Sequence, residues 1–165
     1  MSSFTHANAM IKYDREATRL LKDEYYRNLQ LFRYYIGKKD SNQWVDVPMG
    51  MLSDGASVPW PANILIPPWG SYSQAVLLHD HLCYTYEKTV LKNGVVTKVK
   101  IVRAEVDAIL AEAMTVLQVE AWRAMLINTG VTLHRVFTKP TKPDRNPIRL
   151  KLEAEFDPSK FVMTA

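Results

Sequence analysis

The sequence is short of cysteine and of long apolar runs. Cys83 is the only cysteine in 165 residues, which excludes an internal disulfide framework and any cysteine-rich zinc site. No apolar run approaches the roughly 20 residues of a membrane-spanning helix, so no transmembrane segment is expected. The N-terminus lacks a basic region followed by an apolar core, so no secretory signal is predicted. We expect a soluble protein made in a reducing cytoplasm.

Clustered charge is also lacking. The net charge is +4, but the lysines and arginines are scattered rather than gathered into a stripe, so nucleic acid is not expected as a partner. The hydrophobic content of 47% and the length are those of a chain that can bury a substantial core.

Two β-hairpins are predicted from local patterns. Residues 30–36 are bulky and aromatic, residues 37–42 are typical of a turn, and residues 44–47 alternate as a return strand does. Further on, Asn93-Gly94 lies between two β-branched segments and predicts a type I′ turn.

Helical patterns follow each hairpin. Residues 75–86 are apolar nearly all round, which predicts a buried helix. Residues 102–117 have apolar side chains at helical spacing along one face. Residues 120–128 continue as a helix that Gly130 is expected to stop or kink, and residues 131–137 fit either a last helical turn or a strand.

The chain divides into three parts. Residues 1–29 are predicted to be an N-terminal arm or lead-in, residues 30–137 a compact domain, and residues 138–165 an extended C-terminal arm. Three prolines exclude a regular element early in that arm, and residues 149–156 alternate like an added strand. The predicted fold class is α+β: a small antiparallel hairpin sheet packed on two or three helices, with extended arms at both ends.

The candidate site centres on His79, in the first predicted helix. A buried imidazole needs a hydrogen-bond partner, and Asp80 points about 100° away around the helix. Asp107 borders the apolar face of the second helix, where a carboxylate is costly unless it is paired. Packing of the two helices would therefore let His79 meet Asp107. Asp54, on a glycine-containing loop, is a further candidate.

Two interpretations of these residues remain open. His79 could be a general base oriented by Asp107, with Asp54 and Asp80 holding a divalent cation such as calcium. Alternatively, His79, Asp54 and Asp107 form a buried polar network that fixes the loop onto two helices, with Ser57 as a cap. Cys83 is expected to be a small core residue. His81 is expected to lie on the solvated surface.

Three segments of the sequence resemble a family of proteins. The runs VDVPMGMLSDGASVPW, AVLLHDHLCY and RAEVDAILAEAM resemble an uncharacterised family of small proteins of tailed bacteriophages and prophages. The resemblance covers residues 31–117. It implies a phage origin. For a protein of that origin with an extended C-terminal arm, we expect a location in the virion, synthesis in the host cytoplasm, and assembly with other virion proteins into an oligomer. On the later helix the family's Asp is matched to Asp107 by helix phase.

A weaker resemblance is to secreted phospholipases A2, which have a His-Asp word on one helix and an orienting Asp on another. His79-Asp80 and Asp107 are similar to these, and Asp54-Gly55 would stand in the calcium loop. This resemblance implies calcium at Asp54 and Asp80. The chain differs in having no disulfides and a loop with one glycine.

Two functional hypotheses follow. The first is a bacteriophage virion or morphogenesis component, of tail or baseplate type, that binds neighbouring subunits through its arms. The second is a His/Asp-dependent hydrolase acting on the host envelope, on a lipid ester or peptidoglycan. Its catalytic residues would be His79, Asp107, Asp80 and Asp54.

Overall fold

The structure of the chain is a computed structural model, and it describes residues 3–56 and 66–161. Ser57, predicted as a cap, lies outside the described residues. So do residues 58–65, which include the end of the Asp-Gly-Ala-Ser-Val-Pro word and the first part of the proline-rich connection.

The described part of the chain has strands in two antiparallel sheets. The strands are β1 (Ser3–Phe4), β2 (Ile11–Tyr13), β3 (Tyr26–Asn28), β4 (Phe32–Tyr35), β5 (Gln43–Val47), β6 (Leu52–Ser53), β7 (Glu87–Lys92) and β8 (Val95–Lys100). The larger sheet has the order β1-β4-β5-β7-β8 and the smaller one β2-β3-β6. The predicted α+β class is confirmed.

Helices follow the strands in several places along the described chain. They are α1 (Arg15–Leu21), α2 (Ser73–Thr85), α3 (Arg103–Val116), α4 (Ala121–Thr138) and α5 (Pro147–Ala154), with a short 3-10 helix at Pro158–Phe161. The helices predicted at residues 75–86, 102–117 and 120–128 are observed as α2, α3 and the first part of α4.

Both predicted hairpins form, and they join each other. Asn93 and Gly94 have φ angles of 52° and 77°, as a type I′ turn requires. Strand β5 then pairs with β7, with Trp44 opposite Thr89, which merges the hairpins into one sheet. The sheet is therefore larger than the predicted one. The smaller sheet was not predicted, because its strands are only two or three residues long.

The core lies where α2 packs between the large sheet and α3. Leu77, Leu78 and Leu82 of α2 are fully buried, which agrees with a helix that is apolar nearly all round. Val106 and Leu110 belong to the predicted apolar face of α3 and are also buried. This packing brings His79 of α2 into contact with Asp107 of α3.

Helix α4 does not stop at Gly130. It continues to Thr138, so of the two alternatives for residues 131–137 the helix is observed and the strand is not. A glycine inside a helix costs only about 1 kcal/mol relative to alanine, and packing of the buried Ile127 against the core outweighs this cost.

The C-terminal segment folds back onto the start of the chain. Residues 149–156, predicted as an added strand in an extended arm, instead belong largely to α5. Asn146 caps this helix by accepting a hydrogen bond from Ile148 N at 2.9 Å, and Pro147 occupies the first turn. Leu152 then packs against Ala17 of α1 and Leu52. The cap at Asn146 and the proline at the first turn favour a helix, and they outweigh the strand-like alternation of residues 149–156.

Candidate functional site

His79 and Asp107 form a buried pair between α2 and α3. Nε2 of His79 lies 3.1 Å from Oδ1 of Asp107, within hydrogen-bond distance. The two residues are 7% and 8% exposed. The sequence predicted that these two side chains would meet, and the structure brings them together.

Two arginines flank Asp107. Arg103 Nε donates a hydrogen bond to Asp107 Oδ1 at 2.9 Å, and Arg103 Nη2 lies 3.4 Å from His79 Nε2. Arg135, from α4, places its Nε 3.2 Å from Asp107 Oδ2, an ion-pair contact without hydrogen-bond geometry. These cations offset the cost of burying the carboxylate. Sequence reasoning missed both arginines as members of the site.

The pair shifts the pKa of each partner. Burial acts to lower the pKa of His79, but the interactions with Asp107 and Asp80 outweigh it, so this pKa is raised well above its ordinary value. Burial acts to raise the pKa of Asp107, but His79 and Arg103 outweigh it and the pKa is lowered. Each shift favours the charged form of its group, the imidazolium of His79 and the carboxylate of Asp107.

Asp80 lies closer to His79 than helix phase suggested. Its Oδ1 is 3.9 Å from His79 Nδ1, an ion-pair distance longer than a hydrogen bond. Its Oδ2 accepts a hydrogen bond from the Ser53 hydroxyl, and that hydroxyl oxygen accepts one from Gly55 N at 3.0 Å. Asp80 thereby ties the glycine-containing loop to α2.

An open cleft of about 420 Å³ borders this pair. Three of the four predicted site residues, Asp54, His79 and Asp80, line it, whereas Asp107 lies behind His79. One wall is apolar and includes Leu110. The structure therefore places the predicted residues together at a concave surface; their catalytic role stays a prediction.

The cleft also contains groups that sequence reasoning did not assign to it. Arg103, His134 and Lys142 are cations or potential cations along its lining. Cys83 lines it as well, with its Sγ 3.8 Å from each ring nitrogen of His79. Cys83 follows His79 by four residues on α2, so the two side chains share a face of the helix. No local signal linked His134 or Lys142 to the site.

The residues predicted to hold a metal do not make a complete ligand set in the described structure. Within residues 3–56 and 66–161, no group of three or more His, Cys, Asp or Glu side chains could hold a metal ion. Asp80 is already engaged by Ser53 and His79. A calcium ion at Asp54 and Asp80 stays a prediction.

His81 is not the solvated surface residue that was expected. It is only partly exposed, because it packs beside the large sheet in a small depression with Val45 and Lys98. Burial, followed by the nearby charge of Lys98, lowers the pKa of His81 to about 4. His81 is therefore neutral under ordinary conditions.

Fold and site together define a small α+β protein with a buried histidine–carboxylate pair beside an open cleft. A family model described as "Protein of unknown function (DUF1353)" matches residues 29–131, and the chain belongs to this family. No curated protein and no solved structure matches the chain significantly. The family match contains all four predicted site residues and leaves out His134 and Lys142. No helix of the described residues is long and apolar enough to cross a membrane.

Proposed function

We propose that the chain is a hydrolase in which His79 is the acid–base group and Asp107 orients it. The observation that carries this proposal is the 3.1 Å contact between His79 Nε2 and Asp107 Oδ1 beside a cleft of about 420 Å³. A histidine held by a buried carboxylate next to a ligand-sized cleft is the arrangement that general acid–base catalysis needs. The substrate class is a component of the host envelope, a lipid ester or peptidoglycan.

The contact at Nε2 supports a separate role for each ring nitrogen of His79. Asp107 engages Nε2, which leaves Nδ1 to exchange a proton with the reactants. Nδ1 of the neutral ring takes a proton from water, and the water oxygen attacks the carbonyl carbon. The imidazolium then returns that proton to the leaving oxygen or nitrogen as its bond to carbon breaks. The sum is the addition of one water across the cleaved bond.

Arg103 supplies positive charge at the same place. It lines the cleft and lies against both members of the pair. A fixed cation near the reacting carbonyl stabilises the negative charge that develops on its oxygen. Arg103 is thus placed to stabilise the oxyanion.

The raised pKa of His79 sets the expected pH dependence. Since the base must be neutral to accept a proton, hydrolysis should increase as pH rises through this pKa, above about 6.5. The substitution Asp107→Asn removes the charge that favours the imidazolium, so the rise should move to lower pH.

Hydrolysis assays test the proposal directly. Wild type and His79→Asn would be assayed on short- and long-chain nitrophenyl esters and on purified peptidoglycan, with the exposed His6→Asn as the matched control. We expect His79→Asn to lose at least about 100-fold in rate and His6→Asn to retain it. Equal activity of wild type and His79→Asn, or no hydrolysis of either substrate class by wild type, would overturn the proposal.

Cys83 needs its own variant because its sulfur touches the imidazole. If water is the nucleophile, Cys83→Ala retains activity. Loss of activity in Cys83→Ala, in a folded protein, would replace the water mechanism with a thiol one.

We also propose a place for the protein: a bacteriophage virion or morphogenesis component, of tail or baseplate type, that binds neighbouring subunits and is made in the host cytoplasm. The motif resemblance supports this origin, and the exposed apolar side chains Met125, Val136 and Phe137 of α4 favour contacts with other chains. The folding of α5 onto α1 leaves less of the C-terminal segment for such contacts.

Mass spectrometry of purified particles tests this second proposal. The expected result is the chain at a fixed copy number, together with defective particles when its gene is deleted. Absence of the chain from particles, combined with normal particles after deletion, would contradict it. This outcome is separate from the hydrolysis assays, and both proposals can hold together.

A further inference from the structure

One side of the open cleft is apolar, and three helices build it. The residues that line this side, which we call the apolar wall, are Val76 of α2, Leu110 of α3, and Ile127, Gly130 and Val131 of α4. Val76, Leu110 and Ile127 are 4%, 1% and 4% exposed, so they form the floor of the cleft. Val131 is partly exposed and lies nearer the rim.

The apolar wall begins beside the histidine–carboxylate pair. Val76 precedes His79 by three residues on α2. Leu110 follows Asp107 by three residues on α3. Residues three apart share a face of a helix, and three residues cover about 4.5 Å along its axis. An apolar group attached to a carbonyl carbon at His79 therefore meets the wall within one helical turn.

Gly130 gives the apolar wall its depth. Because it has no side chain, it lines the cleft with main-chain atoms, so the cleft extends to the backbone of α4. The face of α4 that lines the cleft runs from the buried Ile127 to the exposed His134, about 10 Å along the helix. A glycine inside a helix is less favourable than an alanine, and here its effect is to leave room for a ligand.

The remainder of the described lining is rich in polar groups. It includes the carboxylates and phenols of Asp54, Asp80, Asp144, Tyr25 and Tyr84. Cations or potential cations line the cleft too, namely Arg103, His134 and Lys142. A ligand that matches the whole cleft therefore has an apolar part and a polar part. Peptidoglycan is predominantly polar along its length and would leave the apolar wall without a partner.

We propose that the apolar wall binds the acyl chain of a lipid ester whose carbonyl carbon lies at His79. This inference rests on the proposed function and selects a lipid ester over peptidoglycan. Hydrolysis adds one water to the ester and releases an alcohol and a fatty acid, which loses its proton to solvent. Arg103 Nη2, 3.4 Å from His79 Nε2, supplies positive charge for the carboxylate that forms. Gly130, which leaves room along the wall, is the specificity-determining residue for the acyl chain.

Binding of fatty acids tests the apolar wall without any need for hydrolysis. Butanoate, octanoate and dodecanoate would be titrated into wild type by isothermal calorimetry, each below the concentration at which it forms micelles. Since each methylene that leaves water adds to affinity, we expect octanoate to bind at least about tenfold more tightly than butanoate. Equal affinity for the three acids, or no binding of any, would overturn the proposal.

Two leucine substitutions at neighbouring positions of α4 provide a matched comparison. Gly130→Leu places a side chain in the apolar wall, whereas Thr129→Leu places the same side chain at an exposed position. Leucine favours a helix more than glycine or threonine does, so we expect both variants to fold. Gly130→Leu should bind dodecanoate at least about tenfold more weakly than wild type, and Thr129→Leu should bind it equally. Unchanged binding by Gly130→Leu, or an equal loss in both variants, would contradict the assignment.

Paramagnetic NMR locates the chain in wild type, so this measurement depends on no variant. With dodecanoate that carries a nitroxide at its methyl end, the methyl signals of Ile127 and Val131 should broaden before those of Val136. Val136 is on the same helix and is 57% exposed. Earlier broadening of the Val136 signals would place the chain outside the cleft and refute the proposal.

Hydrolysis of nitrophenyl esters of the same three acids separates this inference from the proposed function. A kcat/KM that rises with chain length and falls in Gly130→Leu supports both. Binding that depends on chain length, without hydrolysis, supports the acyl site and overturns the proposed function. Hydrolysis of peptidoglycan alone, or of all three esters with equal kcat/KM, supports the proposed function and overturns the acyl site.

Discussion

The guanidinium carbon of Arg149 lies 3.2 Å from the ring centroid of Tyr84. Arg149 belongs to α5 and is 2% exposed, and Tyr84 belongs to α2 and lines the cleft. Arg149 Nη2 also donates a hydrogen bond to the carbonyl of Asp144, another cleft residue, at 2.6 Å. A side chain outside the family-matched residues 29–131 thus supports the wall of a cleft whose centre lies within them.

Removal of Arg149 should destabilise the protein strongly. The substitution Arg149→Ala removes the contact with Tyr84, the hydrogen bond to Asp144 and the ion pair with Glu153 at 3.4 Å. We expect a loss of about 3 kcal/mol in the free energy of unfolding, measured by urea denaturation. The control is Lys151→Ala on the same helix, which is exposed and should change stability by less than about 0.5 kcal/mol. Similar losses in the two variants would contradict the structural role of Arg149.

His79 and His81 should titrate at widely separated pH values in NMR spectra. The ring of His79 is expected to titrate above about 6.5, since its contact with Asp107 outweighs burial. The ring of His81 is expected to titrate at about 4, because it is buried near Lys98. Asp107→Asn should lower the pKa of His79 and leave that of His81 unchanged. A His79 ring that titrates below 6 in wild type would show that the carboxylate does not compensate burial.

The stability of the protein should fall as pH rises above neutrality. Because the pKa of His79 is higher in the folded state than in the unfolded chain, protonation stabilises the folded state. That stabilisation is fully present below the unfolded pKa of about 6.5 and is lost as pH rises through the folded-state pKa. Urea denaturation between pH 6 and 9 measures this slope, and His79→Asn should flatten it, with His6→Asn as the control. If His79→Asn shows the same slope as wild type, titratable groups other than His79 cause the change of stability with pH.

Two glycines offer a matched test of the packing around Gly50. Gly37 and Gly50 have φ angles of +83° and +89°, so alanine at either position costs about 1 kcal/mol in backbone strain. A Cβ at Gly37 meets nothing within 4 Å, whereas one at Gly50 would lie 2.5 Å from Cδ1 of Phe156. We expect Gly50→Ala to lose about 1 kcal/mol more than Gly37→Ala in thermal or urea unfolding. Equal losses would mean that Phe156 moves aside without cost.

Several features could be predicted because they depend on near neighbours in the chain. Asn93-Gly94 predicts its turn, since these residues tolerate positive φ. The buried face of α3 follows from apolar spacing. The pairing of His79 with Asp107 follows from the cost of leaving either side chain unpaired inside a core.

Other features could not be predicted because they depend on packing between distant segments. The alternation at residues 149–156 fits a strand as well as a helix, and the contact of Leu152 with Ala17 favours the helix. The sequence predicts that His81 lies on the surface, but in the folded protein the large sheet packs beside it. Gly130 costs α4 about 1 kcal/mol, and the packing of Ile127 and Val131 on the core outweighs that cost.

The sequence by itself determined the turns and the amphipathic helices. It also determined that His79 and Asp107 each need a polar partner. Those outcomes follow from backbone preferences and from the cost of burying polar groups, which act over a few residues. Only the tertiary structure decided that Arg135 joins Asp107, that the two hairpins share one sheet, and that α5 supports the cleft. Such contacts join residues far apart in the chain, and their free energy depends on how whole elements pack.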